Sequence, residues 1–206
     1  MAIHNLALRR DKSVKFFKLL GTGKGETFTP RDADPTRWGL LVVYETNNQK
    51  GHPLRKVLHR WSLISERIFR AEILPISVHG SWSGKNPFAV LGTYQDLHGH
   101  AWNGETVAIT RARIKWRWNF RFWAAVPPVV KELSQSPGLI SSLGIGEAPL
   151  GLQGTFSLWK SPLALREFAY KGQAHKEVID ATKRNHWYAE EMFGRFALLK
   201  SDGTLG

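Results

Sequence analysis

The sequence predicts an α+β fold built from two tandem ferredoxin-like halves, the first lacking its opening strand. Two observations lead there. Along residues 105–206 the hydrophobic period alternates between two and 3.6 in the order strand, helix, strand, strand, helix, strand, which is the ferredoxin-like order. In addition, Leu20-Gly21-Thr22-Gly23 and Leu143-Gly144-Ile145-Gly146 are near-copies, each followed by a turn and a strand. Residues 1–91 show the same order from the first helix onward. Two such halves can pack sheet against sheet around a shared pocket.

Each element has its own signal. Residues 2–11 read as the end of a helix, and residues 14–20 (VKFFKLL) as a strand. The glycine cluster Gly21 to Gly25 is not a phosphate loop, because Phe28-Thr29-Pro30 follows where such a loop needs a helix. Residues 39–45 form a buried strand. Residues 54–69 form a helix with Val57, Leu58, Trp61, Leu63, Ile64 and Ile68 as its apolar side, and residues 73–78 return as a strand. The turn-rich stretch 79–88 is expected to expose Trp82. Residues 92–104, polar and rich in Gly and His, separate a half spanning 1–91 from one spanning 105–206. His98-Gly99-His100 has no third ligand nearby and reads as a solvated loop.

In the second half, residues 106–114 are a strand. The run Lys115-Trp116-Arg117-Trp118-Asn119-Phe120-Arg121-Phe122-Trp123 fits either period, as a strand with one greasy face or as a helix with Trp116, Phe120, Trp123 and Ala124 in a stripe. One strand over 106–123 would be far longer than usual, so strand then helix is preferred, with Pro127-Pro128 bending or restarting the helix. Residues 138–143 and 152–159 pair back as strands. Ser161-Pro162 caps the next helix, whose buried positions are Leu163, Leu165, Phe168 and Ala169. Gly172 interrupts it. Beyond Gln173, the residues His175, Val178, Ile179, Thr182 and His186 share one face, which makes His175 a candidate ligand. Residues 195–200 close as a final strand.

Composition narrows the chemistry. The chain has 206 residues, 42% of them hydrophobic, which is enough for a substantial core. It has no cysteine, so zinc–thiolate, iron–sulfur, thiolate-ligated haem and covalent c-type haem sites are excluded. Nine tryptophans and eleven phenylalanines exceed what such a core needs and point to an apolar ligand, a roomy aromatic cavity or lipid contact. The net charge of +12 calls for an anionic partner. No apolar run approaches the ~18 residues of a spanning helix, so membrane contact would be peripheral.

A set of segments, in order and spread over almost the whole chain, resembles the spheroidene monooxygenase family of carotenoid-modifying enzymes. They are Phe17 to Gly25 with Phe28-Thr29-Pro30-Arg31, Trp82-Ser83-Gly84-Lys85-Asn86-Pro87-Phe88, Ile109-Thr110-Arg111-Ala112, Gly144-Ile145-Gly146-Glu147-Ala148-Pro149-Leu150, Thr155-Phe156-Ser157-Leu158-Trp159, Phe168-Ala169-Tyr170, and Trp187 to Phe196. The resemblance implies a dimeric α+β-barrel-like fold, haem as a non-covalent cofactor, and oxygen insertion into a carotenoid with electrons from a donor such as reduced ferredoxin. It matches His175, in Gly172-Gln173-Ala174-His175, to the haem ligand. Arg111, Arg113, Arg166 and Lys171 are then the cations available to haem propionates. Val178, Ile179 and Thr182 line the haem face, and Trp159, Phe168 and Tyr170 are candidates for substrate contact. His186, eleven residues beyond His175, is a rim residue. The chain contains no evident acid–base pair or nucleophile triad, in keeping with chemistry supplied by a cofactor.

Two other readings compete. The same fold could carry other haem chemistry, such as aldoxime dehydration or haem handling. The basic-aromatic run from Arg111 to Trp123 could bind nucleic acid, although the Lys/Arg-Gly-Phe/Tyr signature of RNA-recognition sheets is missing. The expected setting is the cytoplasm, at the inner face of a membrane where the surplus of Lys and Arg meets anionic lipid. Trp82, Trp116 and Trp118 are the anchors expected there.

Overall fold

The computed structural model describes residues 2–23, 32–44, 53–147, 152–171 and 187–205. In chain order its elements are α1 (Ala2–Arg10), β1 (Val14–Gly23), β2 (Ala33–Tyr44), α2 (Pro53–Ile64), β3 (Phe69–Gly80), α3 (Tyr94–His98), β4 (Thr106–Ile114), α4 (Asn119–Ser134), β5 (Leu139–Gly146), β6 (Leu152–Trp159), α5 (Pro162–Lys171) and β7 (Tyr188–Gly203). The strands form one sheet in the order β2-β1-β5-β6-β4-β7-β3, and all neighbours are antiparallel. The block β5-β6-β4-β7 is the ferredoxin-like order of the second half.

The two halves join through equivalent strands. The repeated glycine motifs pair with each other, Gly21 opposite Gly146 and Thr22 opposite Ile145. The closing strands also pair, with Leu74 opposite Ala197. Thr22 and Ile145 are 123 residues apart, and so are Leu74 and Ala197. Thr22 and its own repeat equivalent Ile145 thus face each other at the first seam, and the second seam joins the closing strands of the two halves, the pattern of a two-fold relation between them. No described strand in the first half corresponds to β4, so β2 and β3 are the sheet edges. The sheet curls until those edges approach. The Tyr44 hydroxyl on β2 is pushed above its ordinary pKa by burial and by the charge of Glu72 on β3.

One face of the curled sheet holds the larger core, which includes Phe16, Leu20, Val43, Val107, Ile109, Leu158, Met192 and Phe196. The other face of the second half packs Ala108 and Trp159 against Leu133 of α4 and Leu165 of α5. Ser161 caps α5 as its position before Pro162 predicts, its Oγ accepting from the Ala164 N–H at 3.2 Å.

Element boundaries differ from the sequence expectation where pairing outruns apolar content. Strand β7 begins at Tyr188 rather than 195, because Glu190 and Glu191 pair along β4 opposite Arg113 and Ala112. Helix α2 ends at Ile64 and β3 already starts at Phe69, held by pairing with Gly203. After β4 the chain turns at Lys115, makes one 3₁₀ turn over Trp116–Trp118 and enters α4. That helix runs on through Pro127 and Pro128, both on its exposed side, where water can reach the carbonyls they leave unbonded.

The stretch 79–88 overturns one expectation. Trp82 is not exposed; only 1% of its surface reaches solvent. Gly80 (φ +83°), Ser83 (+58°) and Gly84 (+78°) bend the chain back, and Trp82 bridges to Lys85. The indole enters the core edge-on to Phe16, with ring centres 5.7 Å apart. His98 and His100 are both exposed, as a solvated loop requires, and lean on Tyr94 at ring distances of 4.3 and 5.6 Å.

Candidate functional site

The alternation of β4 sets the site. Val107 and Ile109 point into the larger core, so Arg111, two residues on, continues the same face at the end of the curled sheet. Arg111 is only 6% exposed. A buried guanidinium needs carboxylates, and two reach it: Nη2 lies 3.1 Å from Glu147 Oε1, and Nη1 pairs with Glu190 Oε2. Glu147 also accepts from the Trp82 indole at 2.7 Å and pairs with Lys18. Lys18 in turn donates to Ser83 Oγ at 2.7 Å. Glu190 accepts from the Gly84 N–H at 2.6 Å and from Ser81 Oγ at 3.2 Å.

Burial alone would raise the Glu190 pKa. The Gly84 N–H, the Arg111 hydrogen bond and the Arg111 charge outweigh it and hold the carboxyl at about 2. The network thus sets two basic side chains, Lys18 and Arg111, against two carboxyl groups, Glu147 and Glu190. It ties β1 and the 81–85 turn of the first half to β4, β5 and β7 of the second. Beside it a cleft of about 410 Å³ opens between α1 and β1, lined in part by Asn5, Arg9, Lys18, Ser83 and Glu147. Five of the segments that carry the family resemblance meet here, each contributing at least one residue: Lys18, Trp82, Arg111, Glu147 and Glu190.

The sequence-predicted site residues fall in different places. His175, Val178, Ile179 and Thr182 lie outside the described residues, and Lys171 ends α5. Arg111 faces the larger core and is taken up by Glu147 and Glu190, on the face of β4 opposite Ala108 and α5. Arg113 and Arg166 are exposed. Trp159 is fully buried, stacks on Phe168 at 5.3 Å and donates its indole N–H to Ser157 Oγ at 2.9 Å, while Tyr170 is 67% exposed. Trp159 and Phe168 therefore come together between β6 and α5, and Tyr170 does not join them.

Sequence reasoning missed Glu147, Glu190 and Lys18 as a group. Their only signal was that each sits in a segment shared with the family.

A third feature lies where α4 meets the start of β7. Among the described residues, the buried indole nitrogens of Trp118, Trp123 and Trp187 and the buried Asn119 Oδ1 have no hydrogen-bond partner. Phe122 packs edge-on to both Trp123 and Trp187, at 5.2 and 6.4 Å, so these two indoles share one aromatic cluster. Each buried, unsatisfied polar atom costs about 1–3 kcal/mol, so such a set is normally completed by a ligand or water. The Trp123 and Trp187 donors suit a ligand bearing carboxylate or other oxygen acceptors, and Trp187 directly follows the segment containing His175. The residues present fit a haem with its propionates in this respect. Among the described residues, no group of three His, Cys, Asp or Glu could hold a bare metal ion.

No protein-family model matches the chain. Over 209 residues it is 31% identical to spheroidene monooxygenase of Rhodobacter capsulatus, covering 99% of this chain and 83% of that protein. To spheroidene monooxygenase of Cereibacter sphaeroides it is 30% identical, covering 100% of this chain but only 61% of that protein's length. Overlay on a crystal structure from Fusobacterium nucleatum covers 97% of this chain and 82% of the other, with TM-score 0.46 and 14% identity.

Proposed function

The chain belongs to the spheroidene monooxygenase family, and from that membership we propose that it is a haem-dependent monooxygenase inserting oxygen into a carotenoid. The observation that supports a cofactor on this chain is the pair of buried indole N–H groups of Trp123 and Trp187, unpartnered among the described residues and both packed on Phe122. Haem, when bound, supplies the oxygen and electron chemistry that the side chains lack. Monooxygenation consumes two electrons and two protons per dioxygen, with one oxygen going to the substrate and one to water. An external donor of the reduced ferredoxin class meets that need.

The chain's own residues bind and orient. His175 is the proposed iron ligand, and Val178, Ile179 and Thr182, which follow it at helical spacing in the sequence, are the proposed contacts beside it. The Trp123 and Trp187 N–H groups are the proposed donors for propionate oxygens, and Arg113, Arg166 and Lys171 are the proposed sources of positive charge for them. Phe168, half-buried, is the proposed apolar contact for a polyene, backed by the fully buried Trp159 whose N–H is satisfied by Ser157. Arg111 is already paired to Glu147 and Glu190, the two carboxylates that in turn bind Lys18, Trp82 and Gly84 of the first half.

The test is an absorption spectrum of the purified protein after loading with haem. The wild type should show a Soret band that His175→Ala abolishes and His186→Ala keeps. An unchanged spectrum in the His175 variant would reject the ligand assignment. Product analysis with a carotenoid separates this reading from aldoxime dehydration or haem handling on the same fold.

A further inference from the structure

We propose that the N-terminal part of α4, with the 3₁₀ turn before it, is the surface that docks this protein on an anionic lipid bilayer. Trp116 is 79% exposed and Phe120 90%, the most exposed of the large apolar side chains among the described residues. They are four residues apart, and exposed Ala124 follows at the same spacing, with exposed Pro127 and Pro128 beyond. The stripe is therefore a continuous apolar ridge rather than a scatter of single residues. The opposite side of α4 carries Asn119, Val130 and Leu133, all buried, so the helix has a core side and a separate apolar outer side.

Charge selects the occupant. Exposed Arg117 and Arg121 flank the ridge, both over the Trp118 ring at 5.9 and 5.2 Å. Among the described residues neither makes an ion pair. From residue 106 to residue 131 the sequence has no Asp or Glu at all, while Arg111, Arg113, Lys115, Arg117, Arg121 and Lys131 are basic. Arginine beside exposed Trp and Phe on one helix face matches the interface of a bilayer, with headgroup phosphate at the rim and acyl chain beneath. A nucleic acid would use the same arginines but has nothing to place on Ala124 and the two prolines. No described helix is long and apolar enough to cross a membrane, so the contact is peripheral. As a docking surface the ridge rests on the carotenoid reading only for its purpose, collection of a water-insoluble substrate; the contact itself does not depend on it.

The experiment is co-sedimentation of the full chain with carotenoid-free vesicles, either pure phosphatidylcholine or phosphatidylcholine mixed with phosphatidylglycerol. Binding should require phosphatidylglycerol, fall at high salt, and weaken about tenfold in Phe120→Ala and in Trp116→Ala. Arg117→Gln and Arg121→Gln should each weaken it about fivefold at low salt. These side chains are exposed, so the variants should melt like wild type and retain turnover of detergent-dispersed substrate. Equal binding to neutral vesicles, or anionic-vesicle binding unmoved by Trp116→Ala and Phe120→Ala, overturns the proposal. So does RNA binding that depends on the arginines while no vesicle binds. Because the vesicles contain no carotenoid, failure here leaves the enzymatic reading standing, and failure of that reading leaves this contact standing.

Discussion

Arg111 gathers two carboxylates of its own half, and these in turn reach Lys18, Trp82 and Gly84 of the other. Its charge is buried between Glu147 and Glu190, which lie 36 and 79 residues away in sequence. Removing one member of such a group strands the others: Arg111→Met leaves two buried carboxylates without their shared cation, at a cost of about 3–5 kcal/mol. The same logic gives a pH dependence. The Glu190 pKa is about 2 in the folded chain against an ordinary 4.5. A carboxyl with a depressed folded pKa contributes stability above its unfolded pKa and loses it as pH falls toward the folded one. On the order of 3 kcal/mol should therefore disappear between about pH 4.5 and 2. Urea unfolding measured across that range should show the loss in wild type and a much shallower one in Arg111→Met. Identical pH profiles would mean that Arg111 does not set the Glu190 pKa. From sequence, the period of two told which residues share a face with Arg111, but not which face is the core. The alternate set Ala108, Thr110, Ala112 is no more apolar. Its partners are fixed by long-range pairing, which no local window contains.

At the scale of elements, the 79–88 stretch reads as a solvated turn because Gly, Ser, Lys, Asn and Pro crowd it. Three left-handed residues instead fold it inward and carry Trp82 into the core. Gly80 and Gly84 both have positive φ but differ in space. A Cβ on Gly80 would lie 2.1 Å from the Glu191 carbonyl oxygen, whereas one on Gly84 meets nothing within 4 Å. Gly80→Ala should therefore cost at least ~2 kcal/mol and lower the Tm by roughly 5 °C or more. Gly84→Asn, which tolerates left-handed backbone, should cost less than ~1 kcal/mol. Equal thermal shifts for the two would show that the close approach to β7 does not matter. The run after β4 was legible because a strand over 106–123 is too long. What the pattern left open was which of its rings would be buried. The 3₁₀ turn resolves that, leaving Trp116 outside while the Trp118 indole nitrogen is covered.

At the scale of the molecule, the strand and helix order and the glycine repeat were enough to read the architecture, because each depends on local periodicity and turn chemistry. The repeat even marks one seam, since Thr22 faces Ile145. The candidate site was less legible. The proposed ligand, His175, rests on a helical period and a family motif, while the cluster of Phe122, Trp123 and Trp187 unites residues distant in sequence and has no motif. The central claim is that this chain oxygenates a carotenoid with haem. Its most direct test is incubation of the haem-loaded protein with spheroidene and reduced ferredoxin under ¹⁸O-labelled dioxygen, followed by mass analysis of the carotenoid. The account predicts an oxygenated product that carries the heavy label and is absent without dioxygen. An unchanged carotenoid, or a product whose oxygen comes from water, would contradict it.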